Sequence, residues 1–371
     1  MQGAGPGFDA RRGWAINGRF LAQRITGVQR YAGEIVAALD ALLSQDPELA
    51  ARLPMRLVVP PTTETVPAHA AIGVVRTRFG AGHGWDQLVL PRYAGAGVLS
   101  LGNFGPVLVR NHIVCIHDAN TFIQPDSYSR AFGQLYRTLL PLVGGRARRV
   151  ATVSQFSADM LVRHGVCRRE KIFIAPNGHE HALRWDARRA TLPLLNALHR
   201  PFALLLGSRA KHKNIDIVLE QAHELDLAGI DLVVAGAASG IFAAKPSLQS
   251  DNIHQAGYVG DDDLAALYER ALCLVFPSRT EGFGIPLLEA MARGCPVVSS
   301  NAASLVEVGG DAVAYVDPDD GNGWRDAIIG LSENAGMRAS MAAQGQKRAQ
   351  LFSWKRSAQT YLDEIDGLMQ G

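Results

Sequence analysis

The sequence predicts an α/β protein with two parallel-sheet domains of similar length. Short apolar runs of strand type alternate with amphipathic helical patterns along the chain, as they do where helices join parallel strands. The 371 residues are 47% hydrophobic and 19% charged, which suffices for two buried cores and excludes a disordered chain. A fresh apolar run, Phe202–Leu206, follows the polar stretch His181–Arg200, so we expect the second sheet to begin there.

This polar stretch sets the predicted domain boundaries. We expect a flexible leader over residues 1–13, a first domain over 14–185, a linker over 186–200 and a second domain over 201–355. Residues 356–371 are expected to form a C-terminal helix that packs back on the first domain. The leader lacks the apolar core of a signal peptide, and no apolar run approaches the roughly 20 residues of a membrane span. We therefore expect a cytoplasmic protein.

Eleven apolar runs predict strands, six in the first half of the chain and five in the second. In order they are Trp14–Asn17, Met55–Pro60, Val98–Leu101, Ile113–His117, Val150–Val153, Lys171–Ala175, Phe202–Leu206, Ile230–Ala235, Leu272–Phe276, Pro296–Ser299 and Val313–Val316. Ligands of such α/β proteins bind beyond the carboxyl ends of the parallel strands, so the loops after these runs are where functional side chains are expected.

Charge is distributed unevenly although the formal net charge is only +2. Residues 1–199 carry 23 basic and 13 acidic side chains, a net charge of +10, whereas residues 200–371 carry 14 and 22, a net charge of −8. Within the first half, the segment Arg130–Lys171 holds nine basic residues and two acidic ones. This segregation indicates either an anionic partner for the first domain or a solvated basic surface.

The most informative segment is Phe276–Val298. A strand is expected to end at its first residue, and a turn with two glycines follows, with Pro286 suited to the first position of a helix. The unpaired backbone amides at that helix N-terminus would form an anion site. They are expected near Phe283, Gly284 and Ile285.

Two glutamates, Glu281 and Glu289, flank this turn with seven residues between them. We expect Glu281 in the turn and Glu289 in the first turn of the helix. A carboxylate there can accept hydrogen bonds from sugar or ribose hydroxyls, or stabilise positive charge at a reacting carbon. The alternative is that Glu289 only caps free amides of its own helix.

A basic loop, with Arg209, Lys211 and Lys213, follows the strand that opens the second half. A helix is expected to begin near Asn214. Taken alone, such a loop is better explained as a solvated loop than as a functional one. Because this loop and the Glu281 turn are expected to leave adjacent strand ends of one sheet, we favour contact with phosphate oxygens.

In the first half, the signals are weaker. The turn Thr26–Tyr31 carries Gly27 after the first strand and opens a helix, but it is not a Gly-x-Gly-x-x-Gly fingerprint, which argues against a nicotinamide dehydrogenase. His117 and Asp118 end an apolar strand. A buried core histidine and a functional strand-end pair explain this position equally well.

Two aspartate groups, Asp261–Asp263 and Asp317–Asp320, have the Asp-x-Asp spacing that can hold a divalent ion. We predict that the first group caps a helix over Leu264–Ala271 and that the second forms a turn around Pro318. The sequence therefore predicts no metal site. The four cysteines are widely spaced and lack a Cys-x-x-Cys motif.

Taken in order, these motifs resemble family-4 retaining glycosyltransferases of the GT-B fold, and the likeness covers almost the whole chain. The pair Glu281 and Glu289 matches the Glu-x7-Glu motif of that family, which is the specific part of the resemblance. Supporting matches are Gly27–Tyr31, His117-Asp118, Thr152–Ser157 and Pro176–Gly178. The resemblance implies two Rossmann-like domains: an N-terminal one for the acceptor and a C-terminal one for the nucleotide sugar.

The resemblance also implies roles for single residues. In the second domain, Lys213 would neutralise the donor diphosphate with help from Arg209, and Glu281 would sit beside the transferred sugar. Many members have arginine where this chain has Ser208. The backbone amides that would hold sugar hydroxyls and phosphate are those of Phe283, Gly284 and Ile285.

Further implied roles concern the nucleoside and the first domain. Glu289 would hold the ribose, and the backbone at Tyr258 and Val259 would line the base pocket. Gly27 would approach the diphosphate, and His117 would contact the donor sugar. The residues expected to be catalytic are thus Glu281, His117 and Lys213.

The resemblance implies transfer of a hexose, with mannose from GDP-mannose preferred, to a saccharide or lipid-linked saccharide in polysaccharide biosynthesis. It implies no cofactor beyond this co-substrate, no metal and no nucleic acid. The basic first half would suit peripheral contact with an anionic membrane. Two alternatives stay open: a nucleotide-sugar epimerase of related fold, and a non-catalytic protein that binds sugar nucleotides.

Overall fold

The computed structural model describes residues 13–207, 210–236 and 250–370. The chain divides into two compact units, each built on one parallel sheet. The first unit comprises Met1–Ile123, Arg130–Asn177 and Ser353–Gly371, and the second comprises Gln124–Ser129 and Gly178–Phe352. The predicted α/β class with two parallel-sheet domains is therefore confirmed.

The first unit has a seven-stranded sheet in the order β3-β2-β1-β4-β5-β6-β7. All its neighbouring strands pair in parallel. The strands are β1 (Trp14–Asn17), β2 (Met55–Val59), β3 (Gly73–Arg76), β4 (Gly97–Ser100), β5 (His112–Cys115), β6 (Arg149–Thr152) and β7 (Ile172–Ile174).

Helices pack on this sheet through apolar faces. The longest of the early ones, α1 (Gly27–Gln45), buries Tyr31, Ile35 and Leu39, which recur at the spacing of one helix face. The other helices are α2 (Pro47–Arg52), α3 (Gly82–Leu88), α4 (Asn120–Ile123), α5 (Arg130–Arg146), α6 (Gln155–Arg163) and, at the C-terminal end, α16 (Trp354–Gln370).

The second unit has a six-stranded parallel sheet in the order β10-β9-β8-β11-β12-β13. Its core is a cluster of buried aliphatic side chains around Trp324. The strands are β8 (Phe202–Gly207), β9 (Asp231–Gly236), β10 (Ile253–Gly257), β11 (Cys273–Phe276), β12 (Val297–Ser300) and β13 (Ala314–Val316).

The described helices of this unit range from single turns to four turns. They are α7 (Glu180–Leu183), α8 (Leu194–Ala197), α9 (Asp216–Leu219), α10 (Ala222–Leu227), α11 (Asp261–Arg270), α12 (Ile285–Ala292), α13 (Leu305–Gly309), α14 (Gly321–Glu333) and α15 (Ala335–Ala349). Among the helices of the described residues, none combines the length and apolar character needed to cross a bilayer.

All eleven predicted strands are present, with ends that differ by at most two residues. Two further strands, β3 and β10, were not predicted, and both lie at an edge of their sheet. Three of the four residues of β3 are exposed, and β10 includes His254 and Gln255. An edge strand needs fewer apolar side chains, so these two give no strong apolar pattern.

The domain boundaries differ from those predicted. The chain enters the second unit at Gly178 rather than after residue 185, and the predicted linker 186–200 belongs to that unit. The linker is held by the first turn of α11. The backbone N–H of Asp186 donates to Asp262 Oδ1 at 2.8 Å, and that of Thr191 donates to Asp263 Oδ1 at 2.6 Å.

The last helix, α16, packs within the first unit. Its Tyr361 hydroxyl lies 2.9 Å from that of Tyr31 on α1, and Ser357 Oγ donates to the carbonyl of Pro176 at 2.6 Å. Trp354 meets the Tyr31 ring edge-on, with centroids 5.6 Å apart. This unit therefore draws its helices from both ends of the described chain. Residues 1–12 of the predicted leader lie outside the described residues.

Candidate active site

The two loops singled out in the second half of the sequence leave neighbouring strands. Strands β8 and β11 pair in parallel, and the strand order reverses between them, because β9 and β10 lie on one side and β12 and β13 on the other. Ligands of open parallel sheets bind beyond the strand ends at such a reversal. The loop after β8 carries Lys213, and the turn after β11 carries Glu281.

The side chains of Lys213 and Glu281 are in direct contact. Lys213 Nζ lies 2.6 Å from Glu281 Oε1 and 5.3 Å from the ring centroid of Phe276, the last residue of β11. Both charged side chains are largely buried, with 23% of Lys213 and 13% of Glu281 exposed. In such a partly desolvated place, a charge-assisted hydrogen bond is stronger than on an open surface.

Backbone geometry fixes the lysine. Lys211–Lys213 form a 3-10 turn that ends at Asn214, whose φ of +54° lies in the left-handed region. The Asn214 amide donates to the carbonyls of Pro277 at 3.2 Å and Pro318 at 2.7 Å. The helix expected near this asparagine, α9, begins two residues later at Asp216. Arg209, predicted to assist Lys213, lies outside the described residues.

His212 joins this loop to its surroundings. Its carbonyl accepts the N–H of Arg279 at 2.7 Å, and its own N–H donates to Ser127 Oγ at 3.2 Å. Burial lowers the pKa of His212, Glu281 raises it and Lys213 lowers it again. The ring therefore lies within the electrostatic reach of the lysine–glutamate pair.

The turn after Glu281 leads into α12 as the glycines suggested. Gly284 is the N-cap with φ +93°, and Pro286 is the second residue of the helix rather than the first. A Cβ at Gly284 would lie 2.5 Å from Leu305 Cδ2, so a side chain there would be both strained and crowded. Phe283 is buried and meets the Phe352 ring edge-on at 5.5 Å. Ile285 begins the helix.

Glu289 is the fifth residue of α12, so it lies in the second helical turn and not in the first as predicted. Its buried carboxylate contacts side chains of two other helices. Oε1 lies 2.9 Å from Nε2 of His181 on α7, and the Tyr268 hydroxyl of α11 donates to Oε2 at 3.3 Å. Glu289 is therefore more than a cap for its own helix.

Sequence reasoning missed His181 and Tyr268. The histidine lay in the part of the chain assigned to the end of the first domain, and the tyrosine lay on the apolar face of a helix pattern. No spacing rule links positions 181 and 289, which are 108 residues apart. The one available signal was the histidine three residues after the Pro176–Gly178 motif.

Tyr258 and Val259 follow the end of β10 and precede α11. The tyrosine side chain is 64% exposed, and Val259 is partly buried. Gly257, the last residue of β10, has φ +66° and turns the chain away from the sheet. Their role in a base pocket stays a prediction.

In the first unit, His117 follows the end of β5. Its Nε2 lies 2.9 Å from the carbonyl of Leu101, which can only accept, so Nε2 carries the proton and Nδ1 presents a lone pair. The backbone N–H of His117 donates to Asn103 Oδ1 at 2.8 Å, and the ring meets Tyr31 edge-on at 4.8 Å. Burial lowers the pKa of His117 to about 4, which makes it neutral at pH 7.

Gly27 is exposed and begins α1, with Thr26 as its N-cap. Both Gly27 and His117 thus lie in the first unit, at or after strand ends. Asp118, the neighbour of His117, accepts the N–H of Asn120 at 2.9 Å. The predicted site residues are therefore divided between the units: these two in the first, and the lysine, the two glutamates and the α12 turn in the second.

The two aspartate groups serve as turn and helix-end residues. Asp261–Asp263 form the first turn of α11, whose N-cap is Gly260, so they lie inside the helix that they were expected to precede. Asp317 Oδ1 accepts the N–H of Asp319, and Asp320 caps α14 by accepting the N–H of Gly323 at 2.9 Å. Asp319 forms an ion pair with Arg279. Each group has a local structural task.

The chain is similar in sequence to known glycosyltransferases. Residues 193–348 match the family described as Glycosyl transferases group 1. The chain is 45% identical over 103 residues to the O-antigen chain mannosyltransferase B of Escherichia coli, a match that covers 28% of this chain and 27% of that protein. It is 27% identical over 230 residues to the O-antigen chain mannosyltransferase RfbU of Salmonella typhimurium, covering 61% of this chain and 62% of that protein. The chain thus spans less than two thirds of the length of either relative.

A likeness in fold covers nearly the whole chain. The sucrose-phosphate synthase of Thermosynechococcus elongatus superposes with a TM-score of 0.73 at 18% identity, covering 97% of this chain and 100% of that one. This likeness concerns the fold alone. Residues 193–348 match the model of glycosyl transferases group 1, parts of the chain are similar to O-antigen mannosyltransferases, and the fold is like that of the synthase.

Proposed function

We propose that this protein is a retaining glycosyltransferase that moves a hexose from a nucleotide sugar to a saccharide or lipid-linked saccharide during assembly of a surface polysaccharide. The preferred donor is GDP-mannose. The names of the Escherichia coli and Salmonella typhimurium relatives support mannose and an O-antigen type of product. The observation that carries the proposal is the contact of Lys213 with Glu281 at the strand-order reversal of the second sheet.

In the proposed reaction, the bond between the anomeric carbon and the donor phosphate breaks, and negative charge builds up on the departing diphosphate. An ammonium has three donor hydrogens, so Lys213 can hold Glu281 and a phosphate oxygen at the same time. The N-terminus of α12 adds a partial positive charge. These groups are fixed before the reaction, which makes their stabilisation of the transition state effective.

Retention requires that the acceptor oxygen forms its bond to the anomeric carbon on the face that the phosphate leaves. We propose that the acceptor proton passes to the departing phosphate oxygen. Glu281, held by Lys213 and by a hydrogen bond from Ser304 Oγ to its carbonyl at 2.9 Å, would stabilise the positive charge that develops on the sugar. His117 would accept a hydrogen bond from a sugar hydroxyl at Nδ1.

We further propose that the reaction needs no divalent ion, because Lys213 and the α12 N-terminus supply the positive charge. Transfer that persists in excess EDTA would support this. Transfer abolished by EDTA and restored by Mg²⁺ or Mn²⁺ would contradict it, while leaving the assignment as a glycosyltransferase intact.

A thermal-shift screen of nucleoside diphosphates tests donor recognition, since a ligand that binds only the folded state raises the melting temperature. We expect GDP to stabilise the protein more than UDP or ADP does. Lys213→Ala should abolish the shift, whereas Lys347→Ala, which alters an exposed lysine of the same unit, should preserve it. The absence of a shift with every nucleotide would contradict the proposed donor site.

Incubating the protein with donor distinguishes a transferase from an epimerase and from a non-catalytic binding protein. An epimerase would convert GDP-mannose without any acceptor, whereas a transferase depends on one. A non-catalytic binding protein would show the thermal shift but no transfer. Transfer that requires an acceptor and is lost in Glu281→Ala would exclude both.

We also propose that the first unit meets an anionic membrane through its basic edge. A cavity of about 920 Å³ opens at the amino ends of β5, β6 and β7, and five of its lining residues are basic. They are Arg110, Arg146, Arg148, Arg149 and Lys171. His117 follows the carboxyl end of β5, so this surface lies at the opposite edge of the sheet. Location in the cytoplasm stays a prediction.

Not every cation at this edge is available to a lipid phosphate. Arg149 is bound to Glu364, with Nε–Oε2 and Nη2–Oε1 distances of 2.6 Å, and Lys171 donates to the carbonyls of Gly145 and Ala147. The exposed guanidinium groups of Arg110 and Arg148 are therefore the better probes.

Co-sedimentation with vesicles at low salt provides the test. Phosphatidylglycerol vesicles should retain the protein, and pure phosphatidylcholine vesicles should not. The double variant Arg110→Glu/Arg148→Glu should release it, whereas Arg325→Glu in the second unit should not. If the unaltered protein ignored the anionic vesicles, the membrane proposal would be abandoned.

A further inference from the structure

Glu289 lies where three helices of the second unit meet. It projects from α12, while its partners His181 and Tyr268 belong to α7 and α11. Only 5% of its side chain and 1% of that of His181 are exposed. A carboxylate this deeply buried is costly unless donors compensate for its lost water, and these two side chains supply a donor to each oxygen.

The surroundings hold both partners in place. The His181 ring meets the Trp185 ring edge-on, with centroids 5.4 Å apart. Arg293, at the end of α12, donates from Nη1 to the carbonyls of Ala182 at 3.3 Å and Trp185 at 3.1 Å, and thereby ties α7 to α12. The Tyr268 hydroxyl also lies 3.3 Å from the carbonyl of Pro286. The carboxylate is thus fixed in position and orientation by packing as well as by hydrogen bonds.

We propose that His181 is a positioning residue that acts through Glu289, holding its carboxylate in the one orientation in which it can receive the two ribose hydroxyls of the nucleotide. This inference rests on the proposed function, in which Glu289 binds the ribose. Each carboxylate oxygen can accept about two hydrogen bonds. His181 and Tyr268 approach different oxygens of the carboxylate, so together they fix the direction in which its two oxygens face.

A structural role alone would predict a different pattern of losses. If His181 only stabilised the fold, its substitution would lower the fraction of folded protein. The apparent affinity for every ligand would then fall by the same factor. If it orients Glu289, its substitution lowers the affinity only for ligands that carry ribose hydroxyls. The hydroxyl dependence of binding therefore distinguishes the two roles, whatever the change in stability.

The test compares GDP with 2′,3′-dideoxy-GDP by titration calorimetry. The unaltered protein should bind GDP the more tightly, and His181→Ala should weaken GDP by about tenfold or more while changing the dideoxy nucleotide by less than about twofold. His181→Gln should restore most of the loss, because the glutamine amide nitrogen can occupy the place of Nε2. In transfer assays, the donor KM should rise in His181→Ala with little change in kcat.

Tyr268→Phe serves as a second variant in case His181→Ala does not fold. It removes one hydroxyl and should weaken GDP selectively but by less. His254→Gln is the matched control, because His254 Nε2 pairs with Asp231 Oδ2 at 3.1 Å in the same unit and is not part of the site. This control should leave the preference for ribose hydroxyls unchanged.

Two failures remain distinguishable. If the unaltered protein bound no nucleoside diphosphate, the proposed function itself would fail. If it bound GDP with a clear preference over the dideoxy nucleotide, but His181→Ala and Tyr268→Phe kept that preference in full, only the role assigned to His181 would be overturned.

Discussion

The candidate residues of the two units use different chemistry. In the second unit, Lys213 forms an ion pair with Glu281, and the buried carboxyl group of Glu289 contacts the His181 ring. In the first unit, His117 is desolvated and neutral, and its Nε2–H donates to the backbone carbonyl of Leu101. A charged pair can respond to a charged ligand, whereas a neutral acceptor recognises a hydroxyl without cost in charge burial. Under the proposed function, the anionic part of the donor would therefore bind to the second unit.

The largest effect on transfer should follow the loss of the Lys213 ammonium group. Lys213→Ala removes the charge that would stabilise the leaving diphosphate and leaves Glu281 without its partner, so we expect kcat to fall by about a hundredfold to a thousandfold. Steady-state transfer assays measure the fall, with Lys347→Ala as the control. A loss of less than about fivefold would mean that the two units do not differ as described.

Acidification should act on the first unit through its buried histidines. The pKa of His117 is lowered to about 4 from 6.5, so between these values the unfolded chain binds a proton that the folded protein does not. Stability is therefore lost as the pH falls through this range, by up to about 3 kcal/mol for this group at the acid end. Burial also lowers the pKa of His112, to about 3, which adds to the effect.

Thermal unfolding of the first unit across this pH range measures the effect. In His117→Gln, which cannot titrate, the melting temperature should depend less steeply on pH than in the unaltered protein. An unchanged slope would show that His117 is not held neutral by burial, and the contrast between the units would disappear.

A smaller effect should come from the backbone of the turn that precedes α12. Gly284→Ala places a Cβ 2.5 Å from Leu305 Cδ2 at a φ of +93°, and should destabilise the second unit by about 2 kcal/mol. Gly257→Ala is the matched comparison, since its φ is +66° but no atom lies within 4 Å of an added Cβ. Chemical denaturation should rank Gly284→Ala below Gly257→Ala, and equal losses would mean that crowding adds nothing.

The smallest effect is expected at the aspartates with metal-like spacing. Asp319 is paired with Arg279 on the surface, with 70% of the aspartate side chain exposed, and such pairs contribute less than about 1 kcal/mol. Asp319→Asn should keep transfer within about twofold of the unaltered protein, both with and without EDTA. An activity that became sensitive to the metal supply would show that charged groups outside the Lys213 loop take part.

The sequence was sufficient to predict the class of fold and the central strands, because these strands are continuous apolar runs. It was not sufficient for β3 and β10, whose edge positions relax the demand for apolar side chains. The contact of Lys213 with Glu281 could be expected, since both follow central strands and parallel strands end at a common edge. The contact of His181 with Glu289 could not, because it depends on how α7 packs on α12.

The position of the domain boundary was the other source of error. Polar composition suggested a linker at 186–200, but its backbone amides bind Asp262 and Asp263 at the first turn of α11. A polar segment whose backbone amides bind carboxylates at a helix N-terminus has the same composition as a free linker. The same contacts give two of the three adjacent aspartates, Asp262 and Asp263, a structural role.

The final helix of the first unit, α16, has a consequence for synthesis on the ribosome. Tyr31 and the rest of the buried face of α1 emerge early, but Tyr361 and Trp354, which cover Tyr31, emerge only after the entire second unit. The part of α1 around Tyr31 therefore stays uncovered while the 175 residues of Gly178–Phe352 are translated. In a fragment that stops before α16, this part of α1 would stay exposed, and the fragment would be prone to aggregate.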